Sequence, residues 1–389
     1  MLKTAQPHTL TETFKADYKR ACIWSCLRLG AAIFALTPTS GASAGTANFS
    51  DRILPAPISQ TNHAPALIEA PDGILTLCWY SGSSEANADS RVLCSNSNDK
   101  GETWSQPRVV VDRDEQALGA AEPNKAVGNV TLFYDQAGRL WIIYGVIQRW
   151  NWPLLGTVCR NWLCGRVDAK FSLDHGKNWS PAIRMEDQTG ALVRSKPLHL
   201  SSLGDIIPLY LEGAERSFVR ILDLADTGQS PQFAAAHNFF LPGSGLIQPS
   251  LVQGPDGKIY GYFRDVRRVA IYSAEFDTRT LQWSAPEPTN LPNPGSAVEA
   301  FTSDDGKIVL VYNPSSTDRH ALRLAASSDG LHFSEGCDLV ADRAQGDVAY
   351  PTIIQTADSL WHLTYSADDK TTIHHVVFDT VWLHKCLER

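Results

Sequence analysis

The residue types able to carry chemistry fall at two recurring places along the 389-residue chain. His63, Asn129, Arg194 with Lys196, Gln248, Glu299 and Tyr350 each stand near the start of an alternating apolar stretch. Glu85, Asp89, Arg91, Glu212, Arg264, Asp265 and Arg319 each stand just after one. Arginine meets a carboxylate through paired N–H donors. Tyr, His, Asp and Glu are side chains that attack a carbon or move a proton. Polar groups gathered at one end of apolar strands predict a ligand site, against the plainer alternative of a solvated rim. The connection over 144–166 adds Arg149, Trp150, Trp152, Arg160 and Trp162. Aromatic faces stack on sugar rings, so this segment is predicted to be a lid or subsite wall, or else a cover for a sheet edge.

What must position these residues is a repeated hairpin. Its copies are PDGILTLCWY (71–80), QAGRLWIIYG (136–145), SLGDIIPLYL (202–211), PDGKIYGYFR (255–264), DDGKIVLVYN (304–313) and ADSLWHLTYS (357–366). The turn residues Gly73, Gly138, Gly204, Gly257, Gly306 and Ser359 are 65, 66, 53, 49 and 53 positions apart. An apolar-rich run precedes every turn, so each copy reads as a β-hairpin. Six hairpins at this spacing predict an all-β fold, a six-bladed β-propeller of four-stranded antiparallel blades. Radial repetition buries the sheet faces and leaves few open edges. A β-sandwich with a second domain is the competing arrangement. In antiparallel blades the starts of inner strands and the ends of second strands share one face, which brings the two polar sets together.

A second motif follows some of the hairpins. Ser97-Asn98-Asp99-Lys100-Gly101-Glu102-Thr103-Trp104 and Ser172-Leu173-Asp174-His175-Gly176-Lys177-Asn178-Trp179 share S-x-D-x-G-x-x-W. Ser327-Ser328-Asp329-Gly330-Leu331-His332-Phe333 is a shortened relative, and Trp283-Ser284-Ala285-Pro286 keeps only the tail. The Asp can bond turn amides, the Gly supplies positive φ and the Trp packs between sheets, so the motif is structural. It resembles the Asp-box, or BNR repeat, of the sialidase superfamily. The resemblance covers most of residues 52–383, including Gln248-Pro249-Ser250-Leu251 and Tyr350-Pro351-Thr352-Ile353.

That resemblance implies a sialidase-like fold and an exported glycoside hydrolase acting on an anionic, sialic-acid-type glycan. It implies a Tyr nucleophile with a carboxylate partner, an Asp acid/base and three Arg that clamp the substrate carboxylate. Tyr350 matches the nucleophile, Arg264 a clamp Arg and, more weakly, Arg319 another. Asp89 matches the acid/base, with Glu85 as its rival. Arg194, Trp150 and Trp152 are further candidates for substrate contact. Two positions depart from the pattern. His63 stands where the first clamp Arg is expected, and Gln248 where the Tyr-activating Glu is expected. An amide is not basic, so Glu212 or Glu299 would have to act from a neighbouring blade. Two alternatives use the same ring. A uronate polysaccharide lyase would use His63, Tyr350 and Arg264 as base, acid and charge neutraliser. A carbohydrate-binding propeller would bind the glycan without turnover.

Composition narrows the classes further. The chain is 43% hydrophobic and 20% charged, which excludes intrinsic disorder. Its formal charge of −8 argues against a general nucleic-acid binder. Residues 1–44 read as a secretory leader: a polar lead with Lys15, Lys19 and Arg20, an apolar stretch best from Leu29 to Leu36, and Ala42-Ser43-Ala44 for cleavage. The single domain is then 45–389, secreted or periplasmic, with no stable membrane span. Six cysteines remain after the leader, and an even number in an exported chain permits disulfides. Cys78 with Cys94 and Cys159 with Cys164 are the favoured pairs, and Cys337 with Cys386 follows by elimination. No metal is expected, because His374 and His375 are adjacent and would face opposite sides of a strand. No phosphate-binding glycine loop or dinucleotide fingerprint occurs, and no cofactor is expected.

Overall fold

The repeated hairpins turn on residues with positive φ, from 76° to 83° at Gly73, Gly138, Gly204, Gly257 and Gly306 and 67° at Ser359. Five of the six positions are glycine because the missing Cβ removes the clash this geometry imposes on other residues. The computed structural model describes residues 48–388, apart from 58–59, 121–122, 149–150, 153–155, 158–160, 227–230, 234–236 and 342–345. The expected leader over 1–44, Arg149, Trp150, Cys159 and Arg160 lie outside the described residues.

Each hairpin extends into an antiparallel sheet, and the fold is all-β. Thr61–Glu69, Leu75–Gly82, Arg91–Ser97 and Arg108–Asp112 pair in chain order. Asn124–Tyr134, Leu140–Gln148, Gly165–Ser172 and Ile183–Glu186 repeat the arrangement, as do Glu299–Thr302, Ile308–Tyr312, Leu322–Ser327 and Ser334–Val340. Ala349–Gln355, Trp361–Ala367 and Thr372–Phe378 take their fourth strand, Phe49–Ile53, from the opposite end of the domain. The hairpins Gly204–Leu211/Arg216–Ile221 and Leu246–Gln253/Ile259–Asp265 belong to one ten-stranded sheet, joined through a single parallel pair, Arg216 with Leu246.

The core is a series of apolar layers between successive sheets. Val92 and Cys94 pack with Val130 and Ile142, and Ile143 and Val167 with Ile207 and Leu209. Val219 joins Leu251 and Phe263, Tyr262 joins Leu310, and Val309 and Leu324 join Ile353 and Leu363. Leu77 and Leu93 then meet Ile373, which returns the series to its first sheet. Each buried aliphatic or aromatic side chain contributes roughly 1.5–3 kcal/mol.

The Asp-box turns hold themselves together. Asp99 Oδ1 accepts from Ser97 Oγ and Thr103 N at 2.8 Å each, and Ser97 Oγ accepts from Gly101 N at 2.8 Å. Ser172, Asp174, Gly176 and Asn178 repeat these contacts, and Ser327, Asp329 and His332 form the shortened version. Donation from Thr103 holds the Asp99 carboxyl down at about 2. Two of the expected disulfides are present. Cys78 and Cys94 are directly opposed on neighbouring strands, and Cys337–Cys386 ties the helix Thr380–Leu387 to a sheet edge. Cys164 is also disulfide-bonded.

His374 and His375 do face opposite sides. His374 Nδ1 lies 2.9 Å from Asp51 Oδ1 of the strand contributed from the far end. His375 Nε2 lies 3.0 Å from His362 Nδ1 in the buried layer beside Trp104. Burial lowers His362 to about 4, and burial with the adjacent His362 ring lowers His375 to about 3. Both are neutral when folded but take up protons in the unfolded chain from about pH 6.5 downward. Their contribution is therefore complete above that pH and is lost progressively as pH falls toward about 4. Thermal melts between neutral pH and pH ~5 should show this slope, and His375→Gln should reduce it relative to the parent protein.

Candidate functional site

Four inner strands carry a register shift at the same end: His63/Ala66, Gly128/Val130, Ile247/Ser250 and Ala349/Thr352. Within these bulges Ala64, Asn129, Gln248 and Tyr350 have φ of 51°, 46°, 53° and 59°. A non-glycine residue held there costs on the order of 1–3 kcal/mol, and a bulge re-aims its side chain out of the alternating pattern. Pro65, Pro249 and Pro351 follow three of the four, so no backbone donor is stranded where the ladder breaks. The third repeat differs. Its inner strand is split into Ala191–Val193 and Leu198–Leu200 around Pro197, and Arg194 and Lys196 lie in the gap.

The re-aimed side chains meet. Tyr350 Oη accepts from Gln248 Nε2 at 3.0 Å and from Arg264 Nη1 at 3.1 Å. Arg264 Nη1 also donates to Gln248 Oε1 at 3.1 Å, which fixes the amide with its nitrogen toward the phenol. The ring of His63 packs on that of Tyr350, centroids 4.3 Å apart, and the Arg194 guanidinium lies 5.4 Å from the same ring. Arg194 is buried, donates to Pro351 O and faces Glu299 Oε2 at 3.7 Å. Lys196 Nζ reaches Glu299 Oε1 at 3.3 Å and Ile353 O at 2.6 Å. Tyr210 Oη accepts from Asn129 Nδ2 at 3.1 Å and Gln248 Nε2 at 3.3 Å. Arg264 Nε, Arg194 Nε and His63 Nε2 are buried without a hydrogen-bond partner.

Burial and the surrounding cations Lys370, Arg319, Arg194 and Arg264 push the His63 imidazole well below its usual value, so it is neutral. Burial raises the Glu212 carboxyl, while the Arg264 charge opposes that rise. Burial and the Glu85 carboxylate raise the Tyr80 phenol. The arrangement can hold an anion against arginine, and it sets a phenol, a neutral imidazole and a carboxyl around it.

Most of the expected ring converges. Tyr350, Gln248, Arg264, Arg194 and His63 are in direct contact or one residue removed, and Arg319 acts on both Tyr350 and Arg264 while donating to Gly295 O at 2.6 Å. Glu299 is buried beneath Arg194 and Lys196 rather than beside the phenol. Glu85 lies at the rim, accepting from Trp162 Nε1 at 3.3 Å and pairing with Lys370 Nζ at 2.6 Å. Asp89 is engaged locally: its carboxylate accepts from Ser83 N and Ser83 Oγ at 3.0 Å each and closes its own exposed loop. Trp150 lies outside the described residues, and Trp152 is in the short strand Asn151–Trp152. Arg267 pairs with Asp265 at 2.7 Å. Tyr80, Tyr210 and Ser366 also join the cluster, and their only signal in the sequence is a recurring aromatic or hydroxyl residue at the end of the second strand of a hairpin.

The BNR repeat-like domain family matches residues 73–363. No curated protein matches the sequence. Among solved structures, the NanB sialidase from Streptococcus pneumoniae is 13% identical, with a TM-score of 0.64 over 82% of this chain and 68% of that one. The intramolecular trans-sialidase from Ruminococcus gnavus is 12% identical, with a TM-score of 0.64 over 84% and 95%. A protein of unknown function from Dyadobacter fermentans is 15% identical, with a TM-score of 0.63 over 85% and 97%. At these identities the likeness is one of fold, an all-β sialidase-like β-propeller.

Gly128, beside Asn129, packs closely against Trp162 and Tyr80. A Cβ there would lie 2.7 Å from Trp162 Cη2 and 3.2 Å from the Tyr80 ring. Gly128→Ala should displace Trp162 and cost about 1–3 kcal/mol, read as a lower Tm with a changed tryptophan emission. The same change in a Trp162→Ala background should cost less, because the clashing ring is gone.

Proposed function

The chain belongs to the BNR repeat-like domain family, and on that premise we propose that it is an exported glycosidase-type enzyme acting on a carboxylate-bearing, sialic-acid-type glycan. The observation that carries this reading is the Tyr350 hydroxyl, which accepts from Arg264 and Gln248 where side chains of several repeats meet. A sialic acid has a carboxylate on its anomeric carbon, so a neutral phenol attacks where an anionic nucleophile would be repelled. Tyr350 is the nucleophile. Arg264 and Arg319 hold the substrate carboxylate, and Arg194, braced by Glu299, backs the phenol ring. Gln248 positions the hydroxyl. Glu212, raised by burial, is the proton donor to the leaving oxygen, with Glu85 as the second rim carboxylate. Asp89 is the weaker candidate, because its own loop already engages both carboxylate oxygens. Trp162, which donates to Glu85 at the rim, forms a wall for the remaining sugars.

The propeller has six blades in this reading. The ten-stranded sheet divides at its one parallel pair into two blades like the four others. Export is supported by the Cys78–Cys94 and Cys337–Cys386 bridges, which persist in oxidising compartments.

Purified protein incubated with sialosides should release sialic acid. Tyr350→Phe and Arg264→Ala should each lower turnover by roughly 10²–10³-fold with little change in Tm. Retention of activity by both variants would place the site elsewhere. Gln248 also admits the lyase reading, since no carboxylate is hydrogen-bonded to the phenol among the described residues. An unsaturated product from uronate polysaccharides would establish it. Binding without either product would leave a carbohydrate-binding propeller.

A further inference from the structure

We propose that His63 accepts the phenolic proton of Tyr350, the task for which the phenol has no hydrogen-bonded carboxylate among the described residues. The proposal rests on the reading of Tyr350 as nucleophile. Both groups bonded to the phenol oxygen are donors. Gln248 presents its amide nitrogen at 3.0 Å because Arg264 holds the amide oxygen, and Arg264 itself is a cation 3.1 Å away. The hydroxyl hydrogen must therefore be given to a third partner. Glu299 does not serve, being held by Lys196, Arg194 and Ser250 Oγ, the last at 3.3 Å. Glu212, which feels the Arg264 charge, serves the leaving group instead.

His63 is placed for the task. Its ring lies against Tyr350 with centroids 4.3 Å apart and is only 1% exposed. Nδ1 lies 2.8 Å from Ser366 Oγ, which also accepts from Ala64 N at 3.1 Å. Ser366 pairs directly with Ala349, the neighbour of Tyr350, so one sheet aligns both acceptor and donor. With Nδ1–H given to Ser366, Nε2 presents its lone pair, and Nε2 is buried with no partner of its own. Nε2 and the phenol oxygen are not hydrogen-bonded in the free protein, so the transfer requires the two rings to turn toward each other when substrate is seated, as catalytic hydrogen bonds commonly tighten only in the complex.

The step balances. The proton passes from Tyr350 Oη to His63 Nε2, and the oxygen forms a bond to the anomeric carbon. The glycosidic C–O bond breaks, its electron pair goes to the leaving oxygen, and that oxygen takes the Glu212 proton. Water then attacks the anomeric carbon and gives its proton to Glu212. The Tyr350 oxygen leaves and recovers its proton from His63.

The charges facing His63 are Lys370, Arg319, Arg194 and Arg264, with Tyr80 and Tyr350 as its phenolic neighbours and Glu85 already paired with Lys370. In the free protein these cations weaken its basicity. A substrate carboxylate between Arg264 and Arg319 offsets two of them, so the acceptor strengthens when substrate is seated. Activity needs neutral His63 and falls as pH drops through its titration. The acid limb of kcat should therefore lie at higher pH than that of kcat/KM.

The test is a kinetic comparison on a sialoside of His63→Ala, His63→Gln, Gln248→Glu and the His63→Ala/Gln248→Glu double variant. His63→Ala and His63→Gln should lower kcat by about 10²–10⁴-fold with KM little changed. Gln248→Glu should restore at least about tenfold in the His63→Ala background, because a carboxylate beside the phenol takes the same proton. A merely structural histidine would not be rescued from position 248. His63→Gln, which retains a polar partner for Ser366, keeps the test valid if His63→Ala folds poorly. Wild-type activity with kcat and acid limb unchanged in His63→Gln overturns this proposal alone, as does a folded double variant without rescue. No turnover by the wild type overturns the nucleophile reading and this proposal with it.

Discussion

Arg264 Nη1 lies 3.1 Å from both the Tyr350 hydroxyl oxygen and the Gln248 amide oxygen. That shared donation is the constraint on which the site depends. It turns the amide nitrogen toward the phenol, so Gln248 becomes a second donor and cannot act as a proton acceptor. It also holds a positive charge where an anionic group would dock. Burial makes these contacts count, since a polar group withdrawn from water is stabilised only by the partners it finds. The unpartnered nitrogens of His63, Arg194 and Arg264 mark where the protein leaves that requirement unmet.

The site inherits its rigidity from how the chain closes. Phe49–Ile53 pairs with Thr372–Phe378, so residues more than three hundred positions apart complete one sheet. The same sheet carries Tyr350 and Ser366, and its opposite end carries the His362–His375 pair. The apolar layers keep neighbouring sheets in register, which lets inner-strand residues meet to within hydrogen-bond distance. Backbone strain in the bulges is held by this packing and re-aims Gln248 and Tyr350 toward each other.

The hairpins, their turn glycines, the Asp-box turns and two disulfides were legible because each is a local pattern with a local cause. Gly73 and Asp99 act through their own turns, and Cys78 and Cys94 through adjacent strands. Candidate ring residues were also legible as polar positions at strand ends. Asp89 and Glu299 show the limit of that reading. Both have the right residue type at a suitable position, yet one caps its own loop and the other is enclosed by two cations. Tyr80 and Tyr210 were hidden because a tyrosine ending a strand looks the same whether it fills a core or lines a site.

Periodicity and turn chemistry thus specified an all-β repeat and its polar ends, since those depend on contacts within a few residues. Which side chains meet across the centre was settled by closure of the chain and by the bulges. Gln248 and Tyr350 are 102 positions apart and His63 and Ser366 are 303 apart, and no local rule relates them. Whether Gln248 offers its oxygen or its nitrogen to Tyr350 depends on Arg264, a partner that only the folded arrangement brings within reach.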